Sequence, residues 1–139
     1  MEKALELLYL VARVLFSSIF LISGLSHFTK RTTMAQYARS KGAPVPGLFV
    51  PLSGLMILAG GLSVLLGVWM EIGAWLLVLY LVPTAFTMHA PWKVADSMEK
   101  ANQQAHFLKA LSMAGGALIL YCFVQQAGYG PFTLGGPMG

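Results

Sequence analysis

Residues 20–30 read Phe20-Leu-Ile-Ser-Gly-Leu-Ser-His27-Phe-Thr-Lys30, and across them an apolar run turns polar and basic. Upstream, from Leu5 to His27, only Glu6 and Arg13 are charged. At ~1.5 Å per helical residue that run covers the ~30 Å hydrocarbon core of a bilayer, so it predicts a membrane span with His27 at an interface. Three further apolar runs follow, at about 48–67, 71–89 and 105–125. The expected fold is all-α: an integral membrane four-helix bundle over residues 1–127, with a Gly/Pro-rich tail over 128–139.

Composition points the same way. Of the 139 residues, 57% are hydrophobic and 10% charged, where a soluble domain carries roughly 25% charged residues. A globule of this size cannot hide that much apolar surface, so lipid must cover it. The net charge of +4 is read as a topology signal and not as a nucleic-acid footprint, because the basic residues lie in loops between apolar runs. Cys122 is the only cysteine, which excludes an intrachain disulfide and a thiolate metal cluster. Lys3 ahead of an apolar run has the outline of a secretory leader. The run is longer than a leader's core, lacks an Ala-x-Ala cleavage site and precedes three similar segments, so it is read as a span.

The connections add detail. After His27, Thr32 or Thr33 is placed to cap a short amphipathic helix that Gly42 would end, with Met34, Tyr37 and Ala38 on one face. Gly42-Ala-Pro-Val-Pro-Gly47 then forbids helix and turns the chain into the second span, where Pro51 falls in the first turn. The link Val68-Trp-Met-Glu71 is short enough to make spans two and three an antiparallel hairpin. Pro83 is expected to kink span three. Asp96-Ser-Met-Glu99 has the form of a capping box that restarts helix at Ser97. Ala59, Ser63 and Gly67, and again Ser112 and Gly116, present small residues every fourth position for close helix packing.

Alternating spans bring particular residues together. His27 ends span one, His89 ends span three and His106 begins span four, so all three share one membrane face, with Ser23 and Gly24 removing bulk one turn below His27. Such a face suits a quinone headgroup, proton transfer or a metal, although no pair has the i, i+4 spacing that marks a metal motif, and no metal is assigned. The alternative is that the histidines hydrogen-bond to backbone, water and lipid. On the opposite side Arg13 lies within the apolar run, and either snorkels to the headgroups or is paired. Glu71 is the acid in another span able to reach it, which gives an expected Arg13–Glu71 clamp.

The order Leu10-Val-Ala-Arg13, Ser23-Gly24 before His27-Phe28, the Gly42-Ala-Pro-Val-Pro turn, Gly60-Gly61 with Gly67, and the closing Gly130-Pro-Phe-Thr-Leu-Gly resembles the DoxX family of small four-helix bacterial and archaeal membrane proteins. The resemblance covers nearly the whole chain. It implies a multi-pass subunit of a prokaryotic inner (plasma) membrane linked to oxidoreductases, one branch forming part of a thiosulfate:quinone oxidoreductase and others associated with thiol-redox or oxidative-stress complexes; most members have no assigned reaction. The chain departs from the family's pattern at Ile57, where many members carry Glu, so that Arg13 must use Glu71, backbone carbonyls or a ligand.

Three functions remain in view. One is a quinone-linked or accessory subunit working with a membrane or soluble oxidoreductase; the chain has no dinucleotide fingerprint, Cys pair or bis-His ladder, so no intrinsic cofactor is expected and the quinone would be a mobile ligand. The second is a non-catalytic assembly subunit whose small-residue faces pack on other spans, or on further copies of itself, and whose basic loops bind lipid. The third, a small transporter, is disfavoured because four spans with one buried charge offer little polar path unless the protein oligomerises. Catalytic residues are not assigned.

Charge sets the expected orientation. Lys30, Arg31, Arg39, Lys41, Lys93, Lys100 and Lys109 lie in or beside the loops after His27 and His89, against Lys3 and Arg13 on the other side. The excess of Lys and Arg predicts those loops in the cytoplasm and both termini outside. Alkaline phosphatase fused after Gly139 should be active and a fluorescent protein that matures only in the cytoplasm should stay dark there; the reverse pattern would reject the orientation.

Overall fold

A computed structural model describes residues 2–135 of the chain. Five helices follow one another: α1 (Lys3–Thr29), α2 (Arg31–Ser40), α3 (Pro46–Leu66), α4 (Met70–Met88) and α5 (Ser97–Ala127), with a 3-10 turn at Pro91–Lys93 before α5. Four of them, α1, α3, α4 and α5, are long and apolar enough to cross a membrane. The expected all-α bundle with a short loop helix is therefore the observed one. Leucines, isoleucines and valines ring its outside, exposed as lipid-facing residues must be.

Local sequence explains the ends of the helices. The αL conformation of Gly67, at φ 66°, closes α3, and its N–H reaches back to the Ser63 carbonyl. Asp96 caps α5 by accepting the Glu99 N–H at 2.9 Å. Only that half of the expected capping box forms, because the Glu99 carboxylate turns instead to the Gln103 side-chain amide, 3.0 Å away. Helix α2 differs from expectation. Lys30 alone separates it from α1, and neither Thr32 nor Thr33 caps it, since the backbone at Lys30 barely interrupts the helical path and the threonines fall inside the first turn. Helix α4 runs on through Pro83 to Met88.

The close approaches run through glycine. A Cβ on Gly54 of α3 would sit 2.6 Å from the Cβ of His27, and one on Gly60 would sit 2.7 Å from Leu77 Cδ2. These replace the expected small-residue stripe of α3: Ser63 packs on Gly73 of α4, but Gly67 is the helix cap and Ala59 faces an apolar groove. Phe20, Ile57, Val64, Leu77, Leu81 and Ala85 make the centre of the core, closed from the α5 side by Ala110, Ala114 and Ala117. With no hydrophobic force between helices in lipid, such fit is what holds the spans together.

Gly54→Ala and Gly60→Ala should each cost roughly 1–3 kcal/mol by overpacking. Gly115→Ala, where a Cβ meets nothing within 4 Å, should be neutral or stabilising by up to about 1 kcal/mol through helix propensity. Thermal unfolding of the three variants in detergent checks the contrast.

Candidate functional site

The basic end of the bundle holds the three histidines. His27, 3% exposed, lies 2.7 Å through Nδ1 from the Ser23 carbonyl one turn back. A carbonyl only accepts, so Nδ1 carries the proton and Nε2 is left to accept from the Tyr80 hydroxyl, 3.4 Å away. The Tyr80 ring also meets the His27 ring edge-on. His89, just past the end of α4, places Nδ1 3.1 Å from Gln103 Oε1. By the same logic Nδ1 is the donor, and the Gln103 amide passes its own N–H to Glu99. His106 stacks on His89 with ring centroids 5.2 Å apart.

Two cavities connect these groups. One of about 430 Å³ lies between α1, α3 and α4 beneath α2, lined among others by Ser23, His27, Tyr37, Tyr80, Thr84 and His89. A second of about 210 Å³ lies towards α5, and adds His106 and Lys109 while sharing Ser23, Tyr80, Thr84 and His89 with the first. Helix α2 roofs the larger cavity because its apolar side, Met34, Tyr37 and Ala38, turns inward, with Ala38 locked against Ala43, Val50 and Met88. Gly24 lines neither cavity; it is buried against Leu58 of α3 and serves helix packing. Among the described residues no three His, Cys, Asp or Glu side chains gather as a metal would require.

The opposite end is built on Arg13. Its guanidinium is 2% exposed, so it neither snorkels nor pairs with Glu71. Nη1 donates to the Pro131 carbonyl at 2.9 Å, Nη2 to the carbonyls of Phe132 at 2.5 Å and Leu65 at 3.2 Å, and the charge lies 5.0 Å from the Tyr9 ring centroid. The carboxylate of Glu71 accepts instead from the Tyr129 hydroxyl at 2.6 Å, and Tyr9 donates to the Tyr129 carbonyl at 2.7 Å. The expected clamp is thus replaced by a relay in which the tail after α5 stands between the two charges. The tail has no helix, but it is not loose: Leu134 N–H bonds to the Leu66 carbonyl and Gly135 N–H to that of Gly67, where Gly67 lies against Thr133 and has no room for a side chain.

Tyr80, which joins His27 to the cavity, and Tyr129, which receives Glu71, escaped sequence reasoning. Tyr80 lies in the middle of an apolar run, where only the rotation of α4 reveals which side it faces. Tyr129 sits in a Gly/Pro-rich tail with no periodicity to read.

Comparison with known proteins fits this architecture. The DoxX family model matches residues 8–90, which hold Arg13, Ser23, His27, Tyr80 and His89. The chain belongs to the DoxX family. It is 30% identical over 120 residues to the inner membrane protein YqjF of Escherichia coli (strain K12), covering 86% of each chain. It is also 30% identical over 117 residues to the inner membrane protein YphA of the same organism, covering 84% of this chain and 83% of that one. No solved structure matches it. Like those relatives, this DoxX protein is an inner-membrane protein, and its four candidate spans make it multi-pass.

Arg13→Met should lower stability by roughly 2–3 kcal/mol, the worth of hydrogen bonds to a charged donor and of carbonyls left unpaired. Removing residues after Gly128 deletes two of the same partners, so in the doubly altered protein the losses should fall well short of additive. Full additivity in thermal melts would show that Arg13 does not act through the tail.

Proposed function

We propose that this DoxX protein is a subunit of a membrane oxidoreductase system and holds a quinone headgroup at the basic end of the bundle, the cytoplasmic end on the charge argument. The observation that carries the reading is the pair of cavities that share Ser23, Tyr80, Thr84 and His89, with His27 in one and His106 in the other. The larger, at about 430 Å³, falls in the ~300–1,000 Å³ range of small-molecule sites, and its apolar walls with few convergent polar groups have the usual character of one. His89 donates through Nδ1 to Gln103. Its Nε2, for which no protein partner exists among the described residues, is the acceptor for a quinol hydroxyl. Electrons pass to or from a partner subunit, since the sequence brings no flavin or haem motif of its own.

A second reading, a packing or assembly subunit without a ligand, is favoured by one observation. Both His27 nitrogens have partners within the chain, and the His27 Cβ is the point against which Gly54 packs. His27 serves the bundle first.

The two readings part on binding. A short-chain quinol, kept reduced and titrated into purified protein, should bind saturably, and His89→Ala should weaken it about fivefold, one net hydrogen bond. His106→Ala removes the stacked ring and should weaken it less. If there is no saturable binding, or His89→Ala binds like the wild type, the assembly reading stands.

A further inference from the structure

On the flank of α2 turned away from the histidine cavity lies a separate cavity of about 380 Å³, lined by Arg31, Thr32, Ala35, Gln36, Arg39 and Gly47. We propose that it binds the phosphate headgroup of an anionic phospholipid. The inference stands whether or not the neighbouring cavity takes a quinone.

Helical periodicity builds the site. Thr32, Ala35, Gln36 and Arg39 follow the i, i+3, i+4, i+7 pattern of one face, and Arg31 precedes Ala35 by a turn. The backbone positions of the two arginines lie ~12 Å apart along the helix axis, and their long side chains can close from either end on a headgroup held between them. No acid lines the cavity, and neither arginine side chain has a hydrogen-bond or ion-pair partner among the described residues. Two unpaired guanidiniums with a hydroxyl and an amide beside them match the oxygens of a phosphodiester in charge and donor geometry.

Position selects lipid over free phosphate. Helix α2 follows the end of the first span and leads, through the Pro-rich turn, to the start of the second, so the cavity lies where headgroups lie. Val45 and Leu48 flank it, 67% and 62% exposed, and supply apolar surface for acyl chains. Gly47 adds no side chain, a Cβ there would meet nothing within 4 Å, and α3 begins without a side-chain cap. The positive end of the α3 dipole therefore adds to the attraction.

The test uses delipidated full-length protein in nanodiscs of phosphatidylcholine with or without phosphatidylglycerol, read by native mass spectrometry and thermal unfolding. Phosphatidylglycerol should stay bound as a discrete adduct and raise the unfolding temperature, and inorganic phosphate should do neither. Arg31→Gln with Arg39→Gln should weaken that adduct about thirtyfold, at roughly 1 kcal/mol per cation. Lys93→Gln with Lys100→Gln, on the other basic loop, should leave it intact. The Arg31→Lys, Arg39→Lys protein keeps the charge and should keep part of the binding, which separates loss of the site from loss of the fold. Equal retention of phosphatidylcholine, displacement by inorganic phosphate, or undiminished binding by the double Gln variant would overturn the proposal.

Discussion

The end of α3 is where the membrane's lack of water presses hardest on this chain. A helix leaves its last four carbonyls without intrahelical donors, and in hydrocarbon nothing but protein can supply them. Here Arg13 covers Leu65, and the tail's Leu134 and Gly135 cover Leu66 and Gly67. Ser63 Oγ then donates to the carbonyls of the link, at 2.7 Å to Val68 and 3.0 Å to Trp69. The same guanidinium binds the tail carbonyls of Pro131 and Phe132. One buried charge from α1 thus joins the end of α3 to the tail.

That solution also explains which parts were legible in the sequence. Spans, hairpin and the shared histidine face follow from apolar run lengths and alternation of direction, and the Asp96 cap from a four-residue pattern, all properties of the chain taken one segment at a time. The partner of Arg13 does not. Reasoning from charge looks for an acid and finds Glu71, whereas carbonyls are present at every residue and leave no mark in the sequence. Three well-placed carbonyls solvate a guanidinium as a carboxylate would, and the acid is then free to take the Tyr129 hydroxyl. In the same way Gly24 reads as a small residue beside His27, and Gly54 carries no mark in the sequence that ties it to that histidine. Only the rotation of α1 against α3 shows that they set the contact between these helices and leave the cavity to Ser23 and Tyr80.

Helix α2 organises the basic end by having two working sides. Its inward side, through Met34, Tyr37 and Ala38, roofs the histidine cavity, and its flank, through Arg31 and Arg39, forms the second one. Ala38, packed with Ala43, Val50 and Met88, fixes the helix between the two cavities. Met88, a member of that cluster, is followed directly by His89, the histidine common to both histidine cavities.

The two ends differ in where their polar groups find partners. At the tail end the interior groups engage one another: Arg13 with carbonyls, Tyr9 and Tyr129 with carbonyl and carboxylate, Arg13 Nε and Glu71 Oε1 being the buried side-chain atoms without a hydrogen bond among the described residues. A region so closed is built to hold the chain together. At the basic end His27 is likewise closed on Ser23 and Tyr80, but His89 offers one nitrogen to the cavity, and Arg31 and Arg39 have no protein partner among the described residues. Arg31 and Arg39 are exposed and His89 is half-buried, so each can be reached from outside the bundle. The chain closes the two terminal nitrogens of Arg13 on its own carbonyls and leaves His89, Arg31 and Arg39 to face what comes from outside it.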